Sequence, residues 1–203
     1  MIACALGALG ASAPRAAPAG APAPTRSVLE GRPGYVPLVD PESSAVLLGR
    51  RPGAPRVRKP FRGGARTLDE LGRTIVRQLH HSERDSLFAL CVDQQEFADI
   101  LWREFPQSRP ATGLQWQDAW TILYARLRSG CSQALGDHGG EPYEFLRFEP
   151  LARPDSVFRY RNFTLHNGLF MVVRNPAGEI ERWNWLRSVA ERQGRFKIYS
   201  TTD

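Results

Sequence analysis

The sequence predicts an α+β domain in which N-terminal helices pack on a curved, cone-like antiparallel sheet, preceded by a disordered tail. Two observations lead to this prediction. Between residues 67 and 139 apolar residues recur every three or four positions, which is typical of helices with one buried face. After Gly140 the period falls to two, as in β-strands, and turn residues separate the alternating segments. Helices followed by strands indicate an α+β arrangement.

The first 65 residues differ in composition from the rest. Residues 1–64 carry nine basic and three acidic residues, which accounts for the whole net charge of +6, and the remainder carries equal numbers of each. The predicted domain, residues 66–203, therefore lacks the basic footprint that nucleic-acid binding requires. Ten of the sixteen prolines fall within residues 14–65. We expect that segment to be a Pro/Arg-rich linker, mostly disordered.

Residues 1–13 resemble the remnant of a signal peptide or of a lipoprotein signal. An apolar run is followed by Ala11-Ser12-Ala13, an A-x-A cleavage pattern, but a positively charged start is missing. If translation starts upstream of Met1, Cys4 would be the lipidated residue of a lipobox. The sequence thus favours export to the periplasm or cell envelope, with membrane contact only through a lipid anchor. The alternative is a disordered N-terminus of a cytoplasmic protein.

Four capping-box patterns predict four helix starts in the first half of the domain. In each, a Ser, Thr or Asp precedes an acidic or amide residue by three positions, ahead of an apolar stripe. The boxes are Thr67–Glu70, Ser82–Asp85, Asp93–Glu96 and Thr112–Gln115. Pro106 is expected to end the third helix, and the sequence GDHGG to end the fourth and longest.

Five alternating segments predict the strands. They cover residues 143–150, 156–166, 169–175, 179–191 and 195–202. The turns between them are expected at a Pro-containing loop, at Asn167-Gly168, at residues 175–178 and at Gln193-Gly194. Asn-Gly between two alternating runs is a strong signal for a two-residue hairpin, so the sequence predicts a meander.

Two stretches resemble a known superfamily. TIVRQLHHSERDSLFAL (residues 74–90) and the closing sequence GRFKI (residues 194–198) resemble the nuclear transport factor 2-like superfamily, which includes SnoaL-like and ketosteroid-isomerase-like domains. Within it, LWREFPQSRP (residues 101–110) together with LRSVAERQGRFKIYS (residues 186–200) is similar to a group of uncharacterised bacterial proteins, often with export signals. The resemblance covers residues 66–203. It implies a sheet curled around helices with a cavity between them.

The resemblance implies that isomerase-like members use a cavity carboxylate as a base, with hydrogen-bond donors for the developing oxyanion. In this chain Asp118, between Trp116 and Trp120, is the candidate carboxylate. The alternative is an exposed acid on a helix. Hydrolase, phosphate-loop and metal-ligand motifs are missing from the sequence, so we predict no cofactor and no metal.

Aromatic residues are frequent in this domain, and some are candidates for the wall of a ligand pocket. Core packing is the alternative explanation. The pocket candidates are Trp102, Trp116, Trp120, Tyr124, Tyr160 and Trp183. Cys91 and Cys131 both fall at apolar helical positions, where they could be two buried free thiols or, in an oxidising compartment, a disulfide.

Three functions are compatible with these observations. The first is an exported or envelope-associated domain that binds a small apolar ligand or a protein partner without catalysis. The second is an isomerase- or dehydratase-type enzyme that uses a cavity carboxylate. The third is a structural module that forms a homodimer through its sheet, for which Trp183 and Trp185 would suit an interface.

Overall fold

The computed structural model describes residue 51, residues 53–150 and residues 156–202, except for the side chain of residue 111. The signal or lipoprotein remnant, Cys4 and the linker up to residue 50 lie outside these ranges. Within them the chain has an α+β fold, with helices followed by two antiparallel sheets. The coarse fold class predicted from the sequence is confirmed.

The helical half contains α-helices joined by short 3-10 and π turns. The helices are α1 (Leu68–His80), α2 (Arg84–Phe88), α3 (Gln94–Glu96) and α4 (Trp116–His138). α3 continues as a π turn at Phe97–Leu101 and a 3-10 turn at Trp102–Glu104, and further 3-10 turns follow at Pro106–Ser108 and Pro110–Thr112.

Two of the four predicted caps form, and one of them is a complete capping box. Thr67 accepts from the backbone N–H of Glu70 at the start of α1, and Asp93 and Glu96 form a complete box at the start of α3. The box predicted at Ser82 is wrong because α2 begins after Glu83, without a side-chain cap. The box predicted at Thr112 is also wrong. Thr112 belongs to a 3-10 turn, so α4 begins only after Gln115.

Within the described part of the second half, the chain forms seven strands. They are β1 (Glu144–Pro150), β2 (Val157–Arg159), β3 (Thr164–Asn167), β4 (Leu169–Arg174), β5 (Ile180–Trp183), β6 (Leu186–Arg192) and β7 (Arg195–Thr201). One sheet has the order β1-β4-β5, and the other has the order β2-β3-β6-β7.

One long bent hairpin, β3–β4 paired with β5–β6, runs through both sheets. Only Gly168 separates β3 from β4, and two residues separate β5 from β6. Asn167 pairs with Ser188 and Met171 pairs with Trp183, so four steps along β3–β4 match five steps back along β5–β6. The ladder therefore continues across the bend with one extra residue on the β5–β6 side, the signature of a bulge.

The hairpin turn predicted at Asn167-Gly168 is therefore wrong. Gly168 has a φ of 63° and its N–H donates to the carbonyl of Arg187 at 2.8 Å, so the chain bends there but keeps its direction. The reversal occurs later, at residues 175–179. The turn predicted at Gln193-Gly194 is confirmed. Both residues have positive φ values, 50° and 70°, as a two-residue type I′ turn requires.

Residues 53–65, here called the strap, pack on the domain although the sequence assigned them to the linker. Phe61 and Ala65 are buried. The backbone N–H of Val57 donates to Asn162 Oδ1 at 2.8 Å, and Ala65 forms a β-bridge with Phe196 at the outer edge of β7. The predicted domain start at residue 66 is too late for this segment.

The helices and both sheets enclose one hydrophobic core. Its largest fully buried side chains include Phe97, Phe105 and Tyr199. Beside the Ala65 bridge, the segment between α2 and α3 also pairs with β7, because Val92 donates to Ile198 and Ile198 donates to Leu90. The segment before α3 and the strap thus both pair with β7. A depression lies between α2, the strap and β7.

Candidate ligand-binding cleft

A cleft of about 640 Å³ opens between α2, α4, β7 and the strap. This volume lies within the usual range of small-molecule sites. Aromatic side chains form one wall, and charged side chains and a thiol form the rest. The aromatic, charged and thiol side chains of the lining that are used below are Phe88, Trp120, Tyr124, Cys91, Arg62 and Lys197.

The aromatic wall is held in place by edge and tilted ring contacts. Trp120 and Tyr124 are four residues apart on α4, so they lie on the same helix face, with ring centroids 5.8 Å apart. Tyr124 also meets Phe88 of α2 edge-on at 5.6 Å, and Trp120 contacts the buried Phe97 at 5.6 Å. The wall therefore combines a buried anchor with an accessible ring, since Tyr124 is 37% exposed.

A buried ion pair forms the floor. Lys197 Nζ lies 2.7 Å from Glu96 Oε2, and both side chains are only 3% exposed. The Glu96 carboxylate also accepts from the backbone N–H groups of Arg62, at 2.6 Å, and Asp93, at 2.9 Å. The buried charges are thus paired and hydrogen-bonded, which burial of an ion pair requires. These contacts join the strap to α3 and β7.

Two cysteines lie behind the aromatic wall. Cys91 Sγ and Cys131 Sγ are 3.8 Å apart, and both residues are buried free thiols. The hydrogen bond with Cys91 lowers the pKa of the Cys131 thiol, against the opposing effect of burial. The same hydrogen bond, together with burial, raises the pKa of Cys91, and the charge of Lys197 offsets this only in part. Of the two possibilities left open by the sequence, the structure has the thiols unpaired but in contact.

A second cavity of about 320 Å³ adjoins the cleft. Phe88 and Tyr124 line both spaces, so their rings form the partition. Cys131 lines the second cavity, whereas Cys91 lines the cleft. Arg128 lies over the Tyr124 ring, 5.8 Å from its centroid, which adds a cation–π contact to the partition.

Trp120 and Tyr124 are the two predicted pocket residues that line the cleft. The other four pack elsewhere. Trp102 is buried against Phe97 at 5.9 Å, and Tyr160 stacks on Phe163 at 4.4 Å. Trp116 is partly buried against the core, one turn before Trp120. These residues pack in or against the hydrophobic core, which is the alternative that the sequence left open.

Trp183 belongs to a separate cluster at the end of α4 that the sequence did not indicate. Its ring stacks on His138 with centroids 3.9 Å apart, and Tyr143 meets it edge-on at 4.7 Å. Trp183 Nε1 donates to Glu181 Oε2 at 2.9 Å, and this hydrogen bond is the main cause of a lowered pKa at Glu181. Burial lowers the pKa of His138. The rings of Trp183 and His138 pack face to face, so Trp183 is part of a packed cluster and lines neither the cleft nor the adjoining cavity.

The candidate carboxylate Asp118 is exposed in the first turn of α4 and lines neither the cleft nor the adjoining cavity. Asp93 lines the cleft, Glu96 lies behind Lys197 of its floor, and Asp85 lines the adjoining cavity. The sequence indicated all three only as parts of helix caps. Nothing in the local pattern links residue 96 to residue 197, because that contact joins the two halves of the chain.

Across the described ranges, no three His, Cys, Asp or Glu side chains gather closely enough to hold a metal ion. None of the helices described is both long and apolar enough to cross a membrane. Trp183 and Trp185, proposed from the sequence as a dimer face, are buried within the chain itself.

Comparison of the chain with protein-family models, with curated proteins and with solved structures finds no match.

Proposed function

We propose that this domain is a non-catalytic binding module that holds a small, largely apolar molecule in the cleft. The observation that carries this proposal is the wall of three aromatic rings, Phe88, Trp120 and Tyr124, along an accessible space of about 640 Å³. Apolar walls with a few fixed polar groups are typical of small-molecule sites. A flat molecule would fill the space against the rings, since stacked and edge-on aromatic contacts stabilise beyond their buried area.

The polar groups of the cleft are better placed to orient a bound molecule than to exchange a proton with it. Glu96 already accepts from Lys197 and from two backbone N–H groups, and Asp93 caps α3 by accepting from Glu96 N at 2.7 Å. The Glu96 carboxylate is therefore fully engaged within the protein, and the Asp93 carboxylate is held by its role as the helix cap. Asp118, the base of the isomerase alternative, is exposed away from the cleft. These positions favour binding without catalysis.

For the fold we propose the cone-like architecture of the nuclear transport factor 2-like superfamily. The long hairpin that bends at Gly168 supports this proposal, because a sharply bent sheet can curl around helices. The closing hairpin β6–β7 adds support. On the outer edge of β7, Phe196 pairs with the strap and Ile198 pairs with the segment before α3.

For location and partners, we propose export to the periplasm or cell envelope, and this rests on residues 1–13 alone. Lipidation at Cys4 would supply a membrane anchor. The homodimer proposed from the sequence loses its supporting residues, because Trp183 and Trp185 are buried in the monomer. A small-molecule ligand remains the partner that the accessible surface favours.

A titration with N-phenyl-1-naphthylamine, an uncharged apolar dye that fluoresces when bound, tests this function. We expect saturable binding with one site per chain. Tyr124→Ala should weaken the dye affinity about fivefold, because it removes one ring of the wall. Ile122→Ala is the matched control, since Ile122 is exposed on the same helix and does not line the cleft. Equal affinities for both variants, or binding that does not saturate, would exclude the cleft as the site.

A further inference from the structure

The contact between Cys91 and Cys131 has no role in the binding function proposed above. The two Sγ atoms lie 3.8 Å apart between elements that are 40 residues apart in the sequence. Cys91 belongs to the segment that pairs with β7 through Ile198, and Cys131 belongs to α4. A disulfide has an S–S distance of about 2.05 Å, so the sulfurs need to approach by roughly 1.7 Å.

Both sulfurs can be reached by a small oxidant although both residues are buried. Cys91 lines the cleft of about 640 Å³ and Cys131 lines the adjoining cavity of about 320 Å³. Each cavity is large enough for a molecule of the size of a peroxide, whereas the narrow access to the sulfur itself disfavours large disulfide reagents. The pair is thus accessible from two sides, with the Phe88 and Tyr124 rings between the two openings.

We propose that Cys91 and Cys131 are a redox-active pair that closes reversibly to a disulfide in the presence of a peroxide. Each sulfur lines its own cavity, so either residue can react first with the oxidant. The contact between the two sulfurs provides a hydrogen bond to whichever of them becomes the thiolate, the reactive form of a cysteine. When Cys131 attacks first, Cys91 is the resolving residue that keeps its proton until the second step.

The reaction balances with hydrogen peroxide as the oxidant. The Cys131 thiolate attacks one peroxide oxygen, the O–O bond breaks, and hydroxide leaves as Cys131 becomes a sulfenic acid. The Cys91 sulfur then attacks the Cys131 sulfur, its proton passes to the departing hydroxyl, and water leaves as the S–S bond forms. In total two thiols are oxidised, one peroxide is reduced, and two water molecules are produced.

The disulfide would join the two walls of the cleft. α4 carries Trp120 and Tyr124, and the segment that contains Cys91 is fixed to β7. A crosslink that closes a loop of this length stabilises a protein mainly by restricting the unfolded chain. We expect oxidation to raise Tm by roughly 10 °C. This inference does not depend on the ligand-binding proposal, because its readouts are chemical and thermal.

The test uses the full chain with Cys4→Ala, so that the remaining cysteines are Cys91 and Cys131. The protein is treated with hydrogen peroxide and then denatured and alkylated with a maleimide. We expect the intact mass to fall by two hydrogen atoms and maleimide incorporation to be lost. Dithiothreitol should restore both thiols, and peptide mapping should recover the Cys91–Cys131 crosslink.

A second variant keeps the test decisive. Cys91→Ser removes the resolving sulfur, so peroxide should leave Cys131 as a sulfenic acid that reacts with dimedone, and Tm should not rise. Full maleimide incorporation after peroxide treatment of the Cys4→Ala protein would overturn the proposal. Oxygen addition without a crosslink, or a crosslink that leaves Tm unchanged, would also contradict it.

Discussion

At the scale of single residues, two glycines of α4 show how closely this helix approaches the sheet. A Cβ at Gly130 would lie 2.3 Å from Thr201 Oγ1, and that hydroxyl donates to the carbonyl of Arg126 at 2.9 Å. Gly130 is therefore required for the contact between α4 and β7. Gly136, two turns later on the same helix, has nothing within 4 Å of the corresponding Cβ position.

Alanine at these two glycines should have opposite effects on stability. Gly130→Ala should lower the free energy of unfolding by about 1–3 kcal/mol, because the added methyl group forces α4 away from β7. Gly136→Ala should raise it by about 0.5–1 kcal/mol through helix propensity alone. Urea denaturation of both variants measures the difference. A similar gain in both would show that the helix does not touch β7 as described.

The sequence could identify individual wall residues but not their partners. Trp120 follows from the apolar stripe of α4, because helix periodicity is a local property, whereas Tyr124 was predicted only from the abundance of aromatic residues. The Lys197–Glu96 pair does not, because it joins residues 101 positions apart. Asp118 is next to the stripe in sequence yet exposed, since a position beside a buried stripe can lie on either side of its boundary.

At the scale of elements, one arginine of β6 makes several of the contacts that hold the strap. Arg192 is buried and donates from Nε to the carbonyl of Lys59 at 2.6 Å and from Nη2 to that of Val57 at 2.7 Å. Its Nη1 donates to the carbonyl of Asn162. A single guanidinium thus joins the strap to β6 and to the loop before β3.

Arg192→Met should loosen the strap around Val57 and Lys59. The variant leaves carbonyls of Lys59, Val57 and Asn162 without their donor, and we expect a loss of about 1.5–3 kcal/mol in the free energy of unfolding. Arg58 is exposed within the strap, so limited trypsin digestion should cleave after it several-fold faster than in the parent protein. Arg195→Met, at the other end of the same hairpin turn, is the control. Equal cleavage rates in both variants would refute this role.

The elements also show why some sequence predictions were wrong. Asn-Gly at 167–168 has the composition of a hairpin turn, but of these two residues the positive φ belongs to Gly168, whereas a type I′ turn needs two. The pairing of β3 with β6 decides the outcome, and that pairing is long-range. The strap was assigned to the linker for a similar reason. Its Pro- and Arg-rich composition gives no sign of the carbonyl contacts that Arg192 provides.

At the scale of the whole molecule, the cleft exists because the two halves of the chain share one core. α1 packs on β1 because Gly72 has no side chain and leaves room for the Phe145 ring. α4 packs on β7 in the same way at Gly130. The cleft walls come from residues as far apart as Arg62 and Lys197, so no short segment contains the site. The α+β class was predictable from periodicity, whereas the cleft depends on how the two halves meet.

The most direct test of the account is the position of a bound probe. Crystals of the protein soaked with 1-bromonaphthalene should show a bromine anomalous peak in van der Waals contact with Phe88, Trp120 and Tyr124. The peak should be lost in Trp120→Ala and retained in Trp116→Ala, because Trp116 lies on the same helix outside the cleft. No peak in the cleft, or a peak that persists in Trp120→Ala, would contradict the proposal that this aromatic wall is the binding site.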